Sequence, residues 1–134
     1  LHEQGILQIL KRAEEIDIAL LGIGTNYIES SALYRAGLLT KKESNDLLAK
    51  GVVGDLCGKQ IDINGEICNT EINERTIGID LNKLKNIPQV ICAAAGEQKA
   101  GAILGALRGR FINSLVTDEI AAMRILSLMK QTQK

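Results

Sequence analysis

The chain alternates between two hydrophobic rhythms. Residues 3–14 place Ile6, Leu7, Ile9, Leu10 and Ala13 at helical spacing, which predicts an amphipathic helix. The next stretch, "IDIALLGIG" (Ile16–Gly24), is a nearly continuous apolar run ended by two glycines. A buried strand of a parallel sheet has that character. "ESSALYRAG" (Glu29–Gly37) predicts a short helix closed by Gly37. Thr40 and Glu43 stand at capping-box spacing, and the helix they open turns Leu47 and Leu48 inward before stopping at Gly51.

From Val52 to Ile79 the pattern changes. Two strand-like runs flank Asn64-Gly65, a tight-turn signal, and predict an antiparallel excursion between residues 55 and 79. A short helix begins at Asp80, Pro88 precedes a strand at Gln89–Ala95, and a helix runs from Gly96 to about Arg108. "NSLVTDEIAAMRILSLMK" predicts a short strand, a cap at Asp118 and a final amphipathic helix carrying Ile120, Met123, Ile125, Leu126 and Met129. Strands at 17–22, 90–95 and 114–117 that alternate with helices predict an α/β fold. The expected architecture is three layers, α/β/α, around a mainly parallel sheet. No internal repeat, low-complexity stretch or linker divides residues 1–134.

Composition narrows the function classes. The 134 residues are enough to bury a real core and fit one domain or part of a larger one. Sixteen basic residues balance sixteen acidic ones, so no global field draws the chain to nucleic acid. Tyr27, Tyr34 and Phe111 are the only aromatics, too few for a base-stacking platform. Cys57, Cys68 and Cys92 match no metal spacing and read as reduced thiols in a cytoplasmic protein. No metal and no cofactor is expected. The single histidine, His2, stands at the chain start and is expected to be exposed, which disfavours histidine-based catalysis. No apolar run has membrane-span length and no signal peptide is visible, so no membrane partner is expected. The chain opens on Leu1 rather than Met, as a fragment would.

Three strand-to-helix turns are candidates for chemistry, because ligands of open α/β sheets bind beyond the carboxyl ends of the strands. They are "GIGTN" at 22–26, "VGDLCG" at 53–58 and "AAGEQK" at 94–99. In the third, Gly96 lets the backbone approach a ligand, and the N–H groups that follow, at Glu97 and Gln98, lack intrahelical partners. The helix dipole disfavours a cation at its N-terminus, so Lys99 there hints at an anionic partner such as a phosphate. A solvated lysine near Glu97 is the alternative. No Gly-Lys-Ser/Thr follows a glycine-rich loop, which excludes Walker A. In "GIGTNY", Gly24 suits a tight ligand-edge turn, but Tyr27 replaces the third glycine of a dinucleotide fingerprint. Asp55 could accept hydrogen bonds from sugar hydroxyls or simply cap a turn, and Arg35 could reach the ligand or lie on the surface. Gly101 and Gly105 share a helix face and suit close packing.

Taken in order, "LLGIGT", "SSALYRAGLLT", "VVGDLCGKQIDINGE", "ERTIGIDL", "AAAGEQKAGAILGALRG" and "SLVTDEIAAMRIL" resemble the C-terminal sugar-binding domain of SorC/DeoR-type bacterial transcriptional regulators. The resemblance spans roughly Ile16 to Leu128. It implies a fold similar to glucosamine-6-phosphate deaminase and ribose-5-phosphate isomerase. It also implies a phosphorylated sugar effector whose binding alters oligomer state or DNA affinity, and a homo-oligomer. By position, Lys99 matches a lysine that contacts a phosphate, Asp55 an acidic position at the sugar hydroxyls, and Arg35 a basic position near the ligand. The family's helix-turn-helix, and the first half of the effector domain with another glycine-rich phosphate turn, have no counterpart here. Operator DNA is therefore expected only through that missing N-terminal domain. Two other functions compete with a sensor. A sugar-phosphate isomerase or deaminase needs a well-placed base, which Asp55 or a glutamate would have to supply. A nucleotide-binding module is weakened by Tyr27.

Overall fold

The computed structural model describes residues 3–131. His2 lies outside them. Among the described residues, five strands and seven helices follow the expected alternation: α1 (Gln4–Ala13), β1 (Ile18–Leu21), α2 (Ala32–Arg35), α3 (Lys41–Ala49), β2 (Val52–Leu56), β3 (Lys59–Asp62), α4 (Glu71–Arg75), α5 (Leu81–Leu84), β4 (Gln89–Ala93), α6 (Ala100–Arg108), β5 (Ser114–Val116) and α7 (Glu119–Gln131). Strands β1, β4 and β5 form a parallel sheet with β4 in the middle. Strands β2 and β3 form an antiparallel hairpin. The fold is mixed α/β with a mainly parallel sheet. Among the described residues no helix is long and apolar enough to cross a membrane.

Local chemistry explains the helix starts. Ser31, Thr40, Thr70 and Asp80 each accept a backbone N–H with the side chain, and Thr40 with Glu43 completes a capping box. Gly37 and Gly51 close α2 and α3 with φ of +71° and +80°. α4 is a departure from the expected excursion. Thr70 caps it, and its Ile72 joins Leu39, Leu47 and Val52 in a small second core.

The hairpin turns at a different place from the one its sequence advertises. Cys57 and Gly58, both at positive φ, connect β2 to β3. Paired positive φ is the geometry whose twist matches a two-residue hairpin loop. Asn64-Gly65 makes a second, smaller turn. There Asp62 Oδ1 accepts the N–H groups of Asn64 and Glu66, and Ile61 bridges Ile67.

Helix α6 is the centre of the molecule. Ala100, Ala102, Ile103, Leu104, Gly105 and Ala106 are all buried. It lies against β2, β3 and α7. Gly101 meets Val53 on β2, and a side chain at Gly105 would collide with the carbonyl of Asp62 on β3. The two glycines thus serve packing on the hairpin.

Two expectations of burial need correction. Strand β1 is buried on one face only: Ala19 is inside, whereas Leu20 is 73% and Ile18 59% exposed. With Val116 at 63%, they leave one sheet face open among the described residues. Helix α7 turns Ala121 and Ile125 inward, with Leu128 half-buried. Its Ile120, Met123, Leu126 and Met129 are exposed. Small Ala121, rather than the larger apolar residues beside it, is the fully buried position of α7.

Candidate functional site

The carboxyl ends of β1, β4 and β5 point the same way, so the segments after them meet at one edge. The segment after β1 is stitched to β2. Gly24 N–H donates to the Asp55 carbonyl at 2.8 Å, Asp55 N–H donates back at 3.4 Å, and Ile23 bridges Leu56. A Cβ at Gly24 would fall on the Asp55 carboxylate. Glycine is thus required there for the carboxylate to occupy its seat.

Asp55 is half-buried. Burial pushes its carboxyl above the ordinary value, while the Gly58 N–H and the Lys99 charge pull it back down. Lys99 is also near enough to Cys92 to oppose the rise that burial imposes on that thiol. Cys57 completes the group: burial raises its thiol first, then the charges of Asp55 and Cys92. All three cysteines are free thiols. The structure therefore sets Asp55 against Gly24 and places Lys99, Cys57 and Cys92 within electrostatic range of this group. Sequence reasoning missed the two thiols as neighbours, because no spacing links positions 57 and 92.

The turn after β4 has the expected shape with one change. Gly96 sits at φ 98° and ψ 145°, a conformation nearly reserved for glycine. A single 3-10 turn, Glu97–Lys99, precedes α6, so Lys99 stands just before the α-helix rather than on its first turn. The Gly96 carbonyl accepts the Lys99 N–H at 3.1 Å. The Gly96 N–H does not face outward. It donates to Asp118 Oδ1 at 3.2 Å, and the same oxygen accepts Ala121 N–H at 2.9 Å, so Asp118 caps α7 and anchors the turn at once. Both bonds hold the Asp118 carboxyl below its ordinary value. Among the described residues, the N–H groups of Glu97 and Gln98 have no acceptor.

The remaining expected residues fall around this edge. The Glu97 carboxylate is exposed and faces Arg124 at 3.9 Å. Gln98 is exposed and, with Tyr27, Glu97 and Arg124, lines a shallow cleft of about 230 Å³. Arg35 is exposed at the end of α2 and forms no ion pair among the described residues; the structure does not bring it to Asp55 or Lys99. One polar link was not foreseen. Asn26, fully buried, donates to Gln60 Oε1 at 2.8 Å and ties the turn after β1 to β3. The asparagine in "GIGTN" was the available signal.

Asp55 yields a pH prediction. Its folded value lies above the ordinary 3.8, so the unfolded chain ionises first as pH rises. Its contribution to stability is complete below 3.8 and is lost as pH climbs through the folded value. Asp55→Asn keeps the shape and removes the titration. Thermal melts at acid and neutral pH should show the variant equal to wild type in acid and at least as stable at neutrality. A variant less stable at neutral pH would mean that the ionised carboxylate holds the fold together.

Comparison with known proteins identifies the family. The family model described as "Putative sugar-binding domain" matches residues 1–127. The sorbitol operon regulator of Klebsiella pneumoniae is 42% identical over 113 residues, covering 84% of this chain and 36% of that protein. The deoxyribonucleoside regulator of Bacillus subtilis is 34% identical over 125 residues, covering 93% of this chain and 39% of that protein. A DeoR family transcriptional regulator from Listeria monocytogenes superposes with a TM-score of 0.83 at 33% identity, over 92% of this chain and 50% of that one. The chain thus spans half or less of the length of these relatives. A parallel sheet with its ligand-type turns gathered at one edge, together with these matches, places the chain in the sugar-binding domain family of SorC- and DeoR-type transcriptional regulators.

Proposed function

We propose that the chain is the C-terminal part of an effector-sensing domain, which binds a phosphorylated sugar and controls DNA binding or oligomerisation of a longer regulator. The observation that carries this reading is that Asp55, seated against Gly24, and Lys99, just after the Gly96 turn, lie within electrostatic range of each other at one edge of the sheet. Lys99 and the N–H groups of Glu97 and Gln98 supply the charge and donors that a phosphate takes at a helix N-terminus. Asp55 supplies the acceptor for sugar hydroxyls, and Gly24 leaves it the room. Arg35 would join only if its surface segment swung inward.

The role is sensing rather than turnover. The matched relatives named above are transcriptional regulators, and an isomerase or deaminase is the reading it displaces. Operator DNA is contacted through a helix-turn-helix outside these residues, in a cytoplasmic homo-oligomer. Full-length protein titrated with a panel of sugar monophosphates and bisphosphates, by calorimetry and by sedimentation, tests this. Saturable binding of one of them, a change in sedimentation and no product are expected. Turnover of any member would make the protein an enzyme, and failure of the whole panel to bind would remove the phosphate.

A further inference from the structure

A second cleft lies away from this edge. It measures about 360 Å³ and is walled by the Asn64-Gly65 turn, Lys85 and the chain from Arg108 to Phe111. That volume falls in the range of small-molecule sites, about 300–1,000 Å³. α6 separates the two places. Its first residue, Ala100, follows the Gly96 turn and its last, Arg108, borders the cleft. Nine residues of helix span about 13 Å, so the cleft sits toward the opposite end of the strands.

Three cations from two segments, Lys85 after α5 and Arg108 and Arg110 at the exit of α6, line it with one carboxylate, Glu66. Lys85 extends from the end of α5 and holds its ammonium 4.9 Å above the Phe111 ring. Arg108 donates to the Ile63 carbonyl at 3.1 Å, which fixes its guanidinium while leaving further N–H groups. Arg110 stands at φ 57°, in the left-handed region where a side chain is strained. None of the four charged groups forms an ion pair among the described residues, although the chain has as many acids as bases.

Capping does not explain the cations. The last carbonyls of α6 are already met by backbone: Gly105 accepts Gly109 N–H, Ala106 accepts Phe111 N–H and Leu107 accepts Arg110 N–H. The walls are also rigidly placed. Gly65 is buried with its backbone against Gly109, where any Cβ would collide. Arg110 is exposed, so a glycine there would relieve the backbone without opening the core, yet an arginine stands there.

We infer that this cleft is a second anion site, which binds a small phosphoryl-bearing molecule through Lys85, Arg108 and Arg110. Two guanidinium groups and an ammonium can surround a compact dianion, and the guanidinium fork matches phosphate oxygens. The site is independent of the one at Gly96, and neither reading needs the other.

The probe is pyrophosphate, titrated into ¹⁵N-labelled full-length protein and followed by backbone amide shifts. Saturable shifts are expected at Gly65, Gly109 and Phe111, absent with sodium chloride at equal ionic strength. Amides at Glu97 and Gln98 report the other site separately, so each reading can fail alone. Arg110→Gly should weaken the response at Gly65 and Gly109 by tenfold or more while leaving the melting temperature equal or higher. Lys85→Gln should weaken it without loss of fold. The inference is overturned if these amides do not saturate, if chloride reproduces the shifts, or if both variants bind as wild type. Saturation by duplex DNA but not by pyrophosphate also overturns it, because the occupant would then be a nucleic-acid backbone.

Discussion

Replacing Lys99 by alanine should weaken sugar-phosphate binding by about 10- to 150-fold, the worth of one charge-assisted hydrogen bond of roughly 1.5–3 kcal/mol. Stability should hardly change, because a lysine half open to water contributes little to folding. Loss of the ammonium also removes one of the two influences that hold down the Asp55 carboxyl, so that group moves further upward. Calorimetry on wild type and variant, beside a thermal melt of each, separates the outcomes. Equal affinities would end the phosphate reading of the Gly96 turn. Binding lost only together with thermal stability would make Lys99 structural.

A single methyl group at Gly54 should cost the fold about 1–3 kcal/mol. Gly54 lies on β2 where a Cβ would run into the Gly24 carbonyl and come within 2.8 Å of Ala102 Cβ on α6. Neither neighbour can yield cheaply. One is backbone paired to Asp55, and the other belongs to the fully buried face of α6. Relief would have to come from lifting β2 off the helix, which drags Asp55 away from Lys99. Gly54→Ala is therefore expected to lose both stability and effector binding. Gly5→Ala, on α1 with open space around it, should change neither. Denaturant melts of the two variants provide the check, and a Gly54→Ala protein as stable as wild type would show that the hairpin packs more loosely on α6 than described.

Much of this molecule is legible from its residues one by one. Strand and helix periods, the capping box at Thr40, the cap at Asp118 and the glycine turn before Lys99 are local devices. Their physics is settled within a few residues: a side chain reaches its own backbone, or a glycine takes a conformation others avoid. That is also why the sheet strands fell where expected, at Ile18–Leu21, Gln89–Ala93 and Ser114–Val116. Gly96, Asp55 and Gly24 could be nominated for the same reason, as turn residues at strand ends.

Long-range packing decided the rest. Asn64-Gly65 is the stronger turn signal, yet the hairpin folds at Cys57-Gly58, because Gly65 is used to bring its backbone against Gly109. Apolar residues on β1 and α7 announce burial, but tertiary packing chooses among them, and Ala19, Ala121 and Ile125 are the ones that join the core. The tie that anchors the Gly96 turn, from its N–H to Asp118 22 positions away, has no sign in the local sequence. Arg35 and Lys99 look alike as cations near turns, and only the fold decides that Lys99 is the one whose charge is felt by Asp55. The cluster of Lys85, Arg108 and Arg110 has no sequence signature, since its members come from either side of β4 and α6. Which elements form and where the special backbone turns stand can be read along the chain, because those are local energies. Which charges meet, which apolar faces close and which turn makes the hairpin were left to tertiary structure, because each depends on a neighbour distant in the chain.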